Sequence, residues 1–326
     1  MSKLVYNGLG LGAVGIASFF WGRSSSSSGN SVITPPPSPV GVPEGKNGSA
    51  VVGTFDPNSI RPEDFYKFGF PGPIHDLEKR DEFVSCWDRR TRNPYWVVEH
   101  ITKDSIKSVD GVERKKSVFK EDEQIPPNFR SRLRDYFRSG YDRGHNAPAA
   151  DAKFNQRALD ETFYMTNISP QVGDGFNRDY WAHFEQFART LTNKYDNVRI
   201  MTGSLFLPKP SPENPNRYKV EYEVIGSPPN VAVPTHFFKL IVGENNGSKD
   251  VAVGAFVLPN DKIDNSVPLT NFQVPVEALE RASGLELLYK VPYYQKKDLC
   301  REVKCEVIVR DFSKLPEKAP LALPSK

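Results

Sequence analysis

The sequence predicts an α+β fold, and two observations carry that expectation. Strand-like and helix-like segments follow one another without a regular strand–helix–strand rhythm, which disfavours a parallel α/β sheet. No Walker-type G-x-x-x-x-G-K-[ST] loop is present, so the P-loop nucleotide-binding folds lose their signature. In chain order, Phe83–Trp87 and Tyr95–Ile101 read as strands, being short, apolar and aromatic. Phe129–Arg138 reads as a helix. Phe129, Leu133, Tyr136 and Phe137 would form its apolar face, with Arg130, Arg134 and Arg138 recurring every four residues on another. Further strands are expected at Val198–Leu207, Tyr218–Ile225, His236–Val242, Val251–Leu258 and Cys305–Val309. A helix interrupted near Gly284 is expected at Val276–Leu288.

The chain has 326 residues, 38% hydrophobic and 25% charged, enough to bury a sizeable core. A formal net charge of +3 does not by itself imply a polyanionic partner, so such a claim must rest on local charge. The three cysteines, Cys86, Cys300 and Cys305, form no disulfide framework and no C-x-x-C metal motif. The expectation is reduced thiols, with a Cys300–Cys305 pair left open.

The first acidic residue is Glu44. Before it lie Lys3, an apolar run from Leu9 to Trp21, Arg23, five serines (Ser24 to Ser28) and a proline-rich stretch. An acid-free, Ser-containing start with basic residues resembles a mitochondrial targeting or anchoring segment over residues 1–23. A secretory signal is the second reading, and a frayed apolar tail the third. The apolar run falls short of the roughly 20 residues that span a bilayer comfortably. Residues 24–55 read as a linker rich in Ser, Pro and Gly, 56–312 as the folded domain, and 313–326 as a tail.

Chemistry concentrates between Tyr136 and Arg189. His145 follows Gly144 in a basic segment, and a neutral imidazole can take a proton from water. Arg143 would offer a planar fork to a phosphate; the alternative is an ion pair with Asp142. Upstream, Arg130, Arg132, Arg134 and Arg138 interleave with Tyr136, Phe137 and Tyr141, a face that could hold a polyanion or simply face solvent. Asn177, Trp181, Glu185 and Arg189 recur every four residues, on a helix starting near Asn177. Eight helical residues rise about 12 Å, too far for Asn177 and Glu185 both to ligate one ion directly. Helical side chains lean toward the N-terminus, so Glu185 could hold a metal-bound water while Asn177 binds the metal itself. The alternative for Glu185 is a surface acid paired with Arg189. One amide oxygen with water in the remaining positions suits Mg²⁺.

Three motifs occur together: Asp142-Arg143-Gly144-His145, Asn167-Ile168-Ser169-Pro170-Gln171, and Asn177-x-x-x-Trp181-x-x-x-Glu185. In this order and spacing they resemble the DNA/RNA non-specific endonuclease family with a ββα-metal active site. The resemblance extends over roughly residues 65 to 310, through Thr202-Gly203 and the R-x-S-G-L run at Arg281–Leu285. F-G-F-P-G-P at 68–73, N-P-Y-W-V-V-E-H at 93–100 and F-K-E-D at 119–122 resemble the mitochondrial, endonuclease G-type branch, fungal members especially.

The resemblance implies a mixed or antiparallel central sheet flanked by helices. It implies a homodimer that cuts both DNA and RNA in the mitochondrial intermembrane space or on the inner membrane, leaving 5′-phosphate and 3′-hydroxyl ends. By the same resemblance His145 would be the general base and Asn177 the direct ligand of Mg²⁺, or of Mn²⁺ in its place. Glu185 would hold the ion through water, Arg143 and Asn167 would support the phosphate and the site's geometry, and Arg189 and Arg114 would face substrate. Arg114 is one choice within Glu113-Arg114-Lys115-Lys116, where spacing is ambiguous. Two rival readings are a nucleic-acid-binding relative without catalysis and a phosphodiesterase of small nucleotides. The first would require loss of His145 or Asn177, and both are present.

Overall fold

In the computed structural model, residues 65–69 and 76–307 are described. The expected targeting segment, linker and C-terminal tail lie outside them, as do most of the 68–73 run and residues 308–309. Among the described residues no helix is long and apolar enough to cross a membrane.

Fourteen strands are formed by the described residues: β1 (Asp76–Lys79), β2 (Phe83–Asp88), β3 (Asn93–Ile101), β4 (Asp142–His145), β5 (Ile168–Gln171), β6 (Asn197–Leu205), β7 (Lys209–Ser211), β8 (Asn214–Lys219), β9 (Val224–Ile225), β10 (Val231–Ala232), β11 (His236–Glu244), β12 (Val251–Pro259), β13 (Gln273–Val274) and β14 (Lys296–Asp298). Helices are α1 (Gln156–Glu161), α2 (Tyr180–Thr190), α3 (Val276–Ser283) and α4 (Leu299–Glu302). Eight strands make the central sheet in the order β1-β2-β3-β6-β11-β12-β13, with β14 also pairing β12. All its pairings are antiparallel except β12–β14, so the sheet is mixed. The α+β expectation and its flanked mixed sheet are therefore what the chain forms.

The two longest sheet ladders, β6–β11 and β11–β12, are near-continuously apolar because both faces are covered. Helix α2 lays Tyr180, Trp181, Phe184 and Phe187 on one of those faces, against Phe237, Ile241, Phe256 and Leu258. Burying each such ring contributes roughly 1.5–3 kcal/mol, so this helix is held by packing far more than by intrinsic propensity. Helix α3 ends at Gly284 in a left-handed turn (φ 73°), whose N–H returns to the Glu280 carbonyl at 2.7 Å. The interruption expected near Gly284 is a termination, and Leu285–Leu288 are not helical.

Four expectations need correction. Phe129–Arg138 is not an α-helix: two short 3₁₀ turns, Pro127–Phe129 and Leu133–Tyr136, are separated by extended residues Arg130 and Arg132. The Asp135 carboxylate accepts the Arg132 backbone N–H (2.8 Å), and the Asn230 amide donates to the Arg130 carbonyl (2.9 Å). Side chains thus take backbone groups that a helix would need. Tyr218–Ile225 is not one strand, because β8 ends at Lys219 and only Val224–Ile225 pair again. Tyr218, Val220, Tyr222 and Val224 alternate as a strand should, but all four are exposed, so no core enforces the pairing. Cys305–Val307 form no strand. Finally, Cys300 and Cys305 are joined by a disulfide, and among the described residues only Cys86 lies outside a disulfide.

Candidate active site

Strands β4 and β5 form a separate antiparallel pair, with His145 opposite Ile168 and Gly144 opposite Ser169. The chain then makes one wide turn, Gly173–Asn177, with non-helical Asp174 and Gly175, before α2 begins. This β–β–α unit carries nearly every residue singled out in the sequence. Its strands were not legible, because D-R-G-H and I-S-P-Q show neither alternation nor an apolar run. Gly144 is required by close approach: a Cβ there would lie 2.1 Å from the Gln171 side chain.

The His145 imidazole packs with two rings, Phe119 at 5.5 Å and Phe163 at 4.8 Å between centroids, which also touch each other at 4.9 Å, so the three make one aromatic cluster. Each phenylalanine ring also carries an arginine. The Arg143 guanidinium lies 4.3 Å from the Phe119 centroid, and Arg114 lies 5.3 Å from that of Phe163. Lys115 and Lys116 instead pair with Glu113 at 2.6 and 2.8 Å, which separates Arg114 from its basic neighbours. His145 Nε2 is enclosed and has no hydrogen-bond partner among the described residues. Burial, followed by the nearby Arg114 charge, lowers the imidazole to about 3. It is therefore neutral at physiological pH.

Asn177 is tied to the same strand through Asp142, whose carboxylate accepts from Asn177 Nδ2 at 2.9 Å. Asp142 also takes a bidentate pair from Arg178, at 2.8 and 2.6 Å. The alternative Asp142–Arg143 ion pair is thus replaced by Asp142–Arg178, leaving Arg143 exposed over Phe119. Committing Nδ2 to Asp142 fixes the amide so that its oxygen is the end left for a cation.

Glu185 lies on α2 and forms no ion pair with Arg189. Burial raises its carboxyl to about 7, opposed by Lys239, Arg189 and Arg114. The Arg114 charge bears on both groups, disfavouring the charged form of His145 and favouring that of Glu185. Among the described residues no three His, Cys, Asp or Glu converge as a metal cage. The donors present are one amide oxygen and one carboxylate, a set that fits a hydrated hard cation keeping most of its waters.

Two residues stand differently from their expected roles. Asn167 is fully buried, and its amide is spent on backbone. Its oxygen accepts from Ala147 N at 2.9 Å, and its nitrogen donates to the Ala147 and Thr162 carbonyls, both at 2.9 Å. It thus holds the loop after His145, the part of its expected role that concerns the site's geometry. Arg189 is largely withdrawn, donating to the buried Asp151 carboxylate at 2.9 Å. A buried carboxylate needs that partner, so the guanidinium is not offered to solvent. Conversely, Phe119, Phe163 and Arg178 join the site without having been legible in the sequence. Nothing in spacing reveals that two phenylalanines 44 positions apart pack on one imidazole.

With this geometry in hand, comparison with known proteins is informative. The sequence profile of the DNA/RNA non-specific endonuclease family matches residues 61–293. The chain is 62% identical over 259 residues to the mitochondrial nuclease of Saccharomyces cerevisiae, covering 78% of each chain. It is 42% identical over 219 residues to human mitochondrial endonuclease G, covering 67% of this chain and 71% of that one. A crystal structure of the EndoG/EndoGI complex, concerned with EndoG inhibition, superposes with a TM-score of 0.69 at 44% identity. It covers 73% of this chain and 97% of that chain.

Proposed function

Because this chain belongs to the DNA/RNA non-specific endonuclease family, we propose that it is a mitochondrial, metal-dependent endonuclease whose general base is His145, cutting DNA and RNA alike. The observation carrying the mechanism is the neutral imidazole packed on two rings, each bearing an arginine, on the strand whose Asp142 fixes the Asn177 amide with its oxygen left for a cation.

His145 takes a proton from water at Nδ1, the ring nitrogen that is not enclosed, as that water attacks phosphorus in line. Phe119 and Phe163 pack against the imidazole on one side and so fix its orientation. A phosphate anion arriving beside the ring raises the low basicity of the free site toward the operating pH. Arg143 and Arg114 offer guanidinium groups to the phosphoryl oxygens as negative charge builds there. Mg²⁺ is the cation we favour, with Mn²⁺ as substitute; the Asn177 oxygen would hold it directly and Glu185 would hold it through water. Bound there, the ion would supply positive charge to the phosphoryl group and the leaving 3′-oxygen. The products are 5′-phosphate and 3′-hydroxyl ends. Water, not a ribose hydroxyl, is the nucleophile, so the 2′ position need not be read and both nucleic acids are accepted.

The finer organisation follows the same reading: residues 1–23 as a mitochondrial targeting or anchor segment, 24–55 as linker, 56–312 as nuclease domain and 313–326 as tail. The mature protein would act as a homodimer in the intermembrane space or on the inner membrane. The decisive assay is nicking of a supercoiled plasmid, and of matched RNA, by the wild type and by His145→Ala. Turnover should fall by at least about 10²-fold in the variant, and EDTA should abolish wild-type cleavage. Near-normal cutting by His145→Ala removes the base, and strong activity in excess chelator removes the cation.

A further inference from the structure

The stretch whose sequence suggests a helix holds a surface the mechanism above does not use. Between residues 130 and 143 there are five arginines and two acids. Both acids are engaged: Asp135 is buried against the Arg132 N–H and the Asn230 amide, and Asp142 holds Asn177 and Arg178. Arg130 and Arg132 donate to neutral backbone carbonyls of Ile125, Glu123 and Pro127 and not to carboxylates. Arg134 and Arg138 are exposed, with no hydrogen bond or ion pair to the described residues. Phe137 stands among them, 73% exposed, with the Arg138 guanidinium 5.1 Å from its ring centroid.

A lone exposed phenylalanine is ordinary. This one differs in how it is presented. Its neighbour Tyr136 is buried with Ile225 and Val231, while Asn230 and Asp135 pin the backbone before it. On the other side Arg138 adopts φ 54°, a conformation few non-glycine residues take. The ring is therefore held outward by its surroundings. Two shallow hollows follow the segment. One, of about 310 Å³, is lined by Arg130, Arg132 and Arg134 with Pro127 and one acid, Glu121, whose carboxylate accepts the Leu133 N–H. The other, of about 280 Å³, runs from Phe137 and Arg138 to Asp142 and Arg143. The second hollow ends at the strand that carries His145, so the face is continuous with the candidate active site.

We propose that this face is the track for single-stranded nucleic acid flanking the scissile phosphate, with Arg134 and Arg138 on its phosphates and an unpaired base stacked on Phe137. The inference rests on the nuclease reading. Guanidinium groups without acidic partners suit phosphates, and an exposed ring offers a π-face to any base. A base within a duplex already has both faces stacked, so the ring selects strands whose bases are free. Stacking on an aromatic is indifferent to the sugar, in keeping with an enzyme that takes both DNA and RNA.

The test is steady-state cleavage of a 20-nucleotide single strand of mixed sequence by wild type, Phe137→Ala, Phe137→Trp and Arg134→Ala/Arg138→Ala. Tyr293→Ala, which removes an equally exposed ring elsewhere, serves as control. Phe137→Ala should raise KM by about tenfold with a much smaller change in kcat, and tryptophan should restore it. The double arginine variant should flatten the dependence of log KM on log salt by about 0.7 for each lost phosphate contact. Quenching of 2-aminopurine placed beside the cleavage site should also disappear in Phe137→Ala. Wild-type cleavage with KM, salt slope and quenching unchanged in the variants overturns this proposal alone. Conversion of a wild-type dimer to monomer by Phe137→Ala, seen by sedimentation, would make the face a self-association surface and also overturn it. If the wild type cuts no nucleic acid, the nuclease reading fails and takes this one with it.

Discussion

At the scale of single residues, the site depends on an imidazole kept neutral by its surroundings. With the folded-state value of His145 near 3 and an unfolded value near 6.5, protonation favours the unfolded chain. The stability from burying the neutral ring is complete above about pH 6.5 and is lost as pH falls toward 3. Thermal melts should therefore drop more steeply between pH 6.5 and 4 in the wild type than in His145→Ala. Parallel curves would show that the ring is not buried neutral. Gly144 makes a second residue-scale case. Gly144→Ala would drive a methyl into Gln171 and should cost roughly 1–3 kcal/mol by overpacking, read as a lower urea midpoint. His145, Arg143 and Asn177 were legible in the sequence because their chemistry is written in their side chains and compact motifs. The packing of Phe119 and Phe163 on the imidazole was not, since it is made by residues far apart in the chain.

Among elements, the β4–β5–α2 unit owes its shape to side chains bonded to backbone groups. Asn167 ties the segment after β4 to the end of α1 through the Ala147 and Thr162 carbonyls. Replacing it by leucine leaves an N–H and two carbonyls unpaired in a dry interior, at about 1–3 kcal/mol for each group. Asn167→Leu should be poorly folded, and any soluble fraction should show a much reduced melting temperature. A melt like that of the wild type would place its amide in the site and not in the frame. The Cys300–Cys305 bridge is the second element-scale device. It closes a short loop, so the unfolded chain loses little freedom. Cys300→Ser should cost about 2 kcal/mol in a denaturant melt, and reductant should cost the wild type the same. Sequence spacing left that pair open because two nearby cysteines can be close without being correctly oriented.

Across the whole molecule, a charged layer lies buried in the fold and bears on the catalytic unit. Glu99 on β3 is fully enclosed and Glu82 nearly so, and no carboxylate oxygen of either has a hydrogen-bond partner among the described residues. Burial and then nearby carboxylates, Glu99 for Glu82 and Asp151 for Glu99, push both well above the usual range, opposed by Lys239. Lys239 is itself buried, donating to Thr202 at 2.7 Å and lying 4.8 Å from the Trp181 ring centroid. A carboxyl raised in the folded state favours folding while protonated. That contribution is present below about pH 4.5 and is lost as pH climbs through the folded value. Glu99→Gln keeps the shape without the charge, so it should gain stability over the wild type as pH rises from 5 to 8.5. A gap that stays constant over that range would refute the titration.

What the sequence alone determined was chemical identity: a base, an amide ligand, arginines at the right separations, and apolar periodicity sufficient for the five long strands and two principal helices. Those are properties of neighbouring residues, and they survive in any fold. Only the tertiary structure decided which arginines are left without an acidic partner, because Arg189 is claimed by buried Asp151 while Arg114 and Arg143 lie over aromatic rings. It also decided that residues 130–138 are not a helix, since Asn230, nearly a hundred positions away, takes a carbonyl there. The physical reason is common to both. A polar group goes to the partner that best compensates its loss of water, and which partner is within reach is fixed by folding, not by position along the chain.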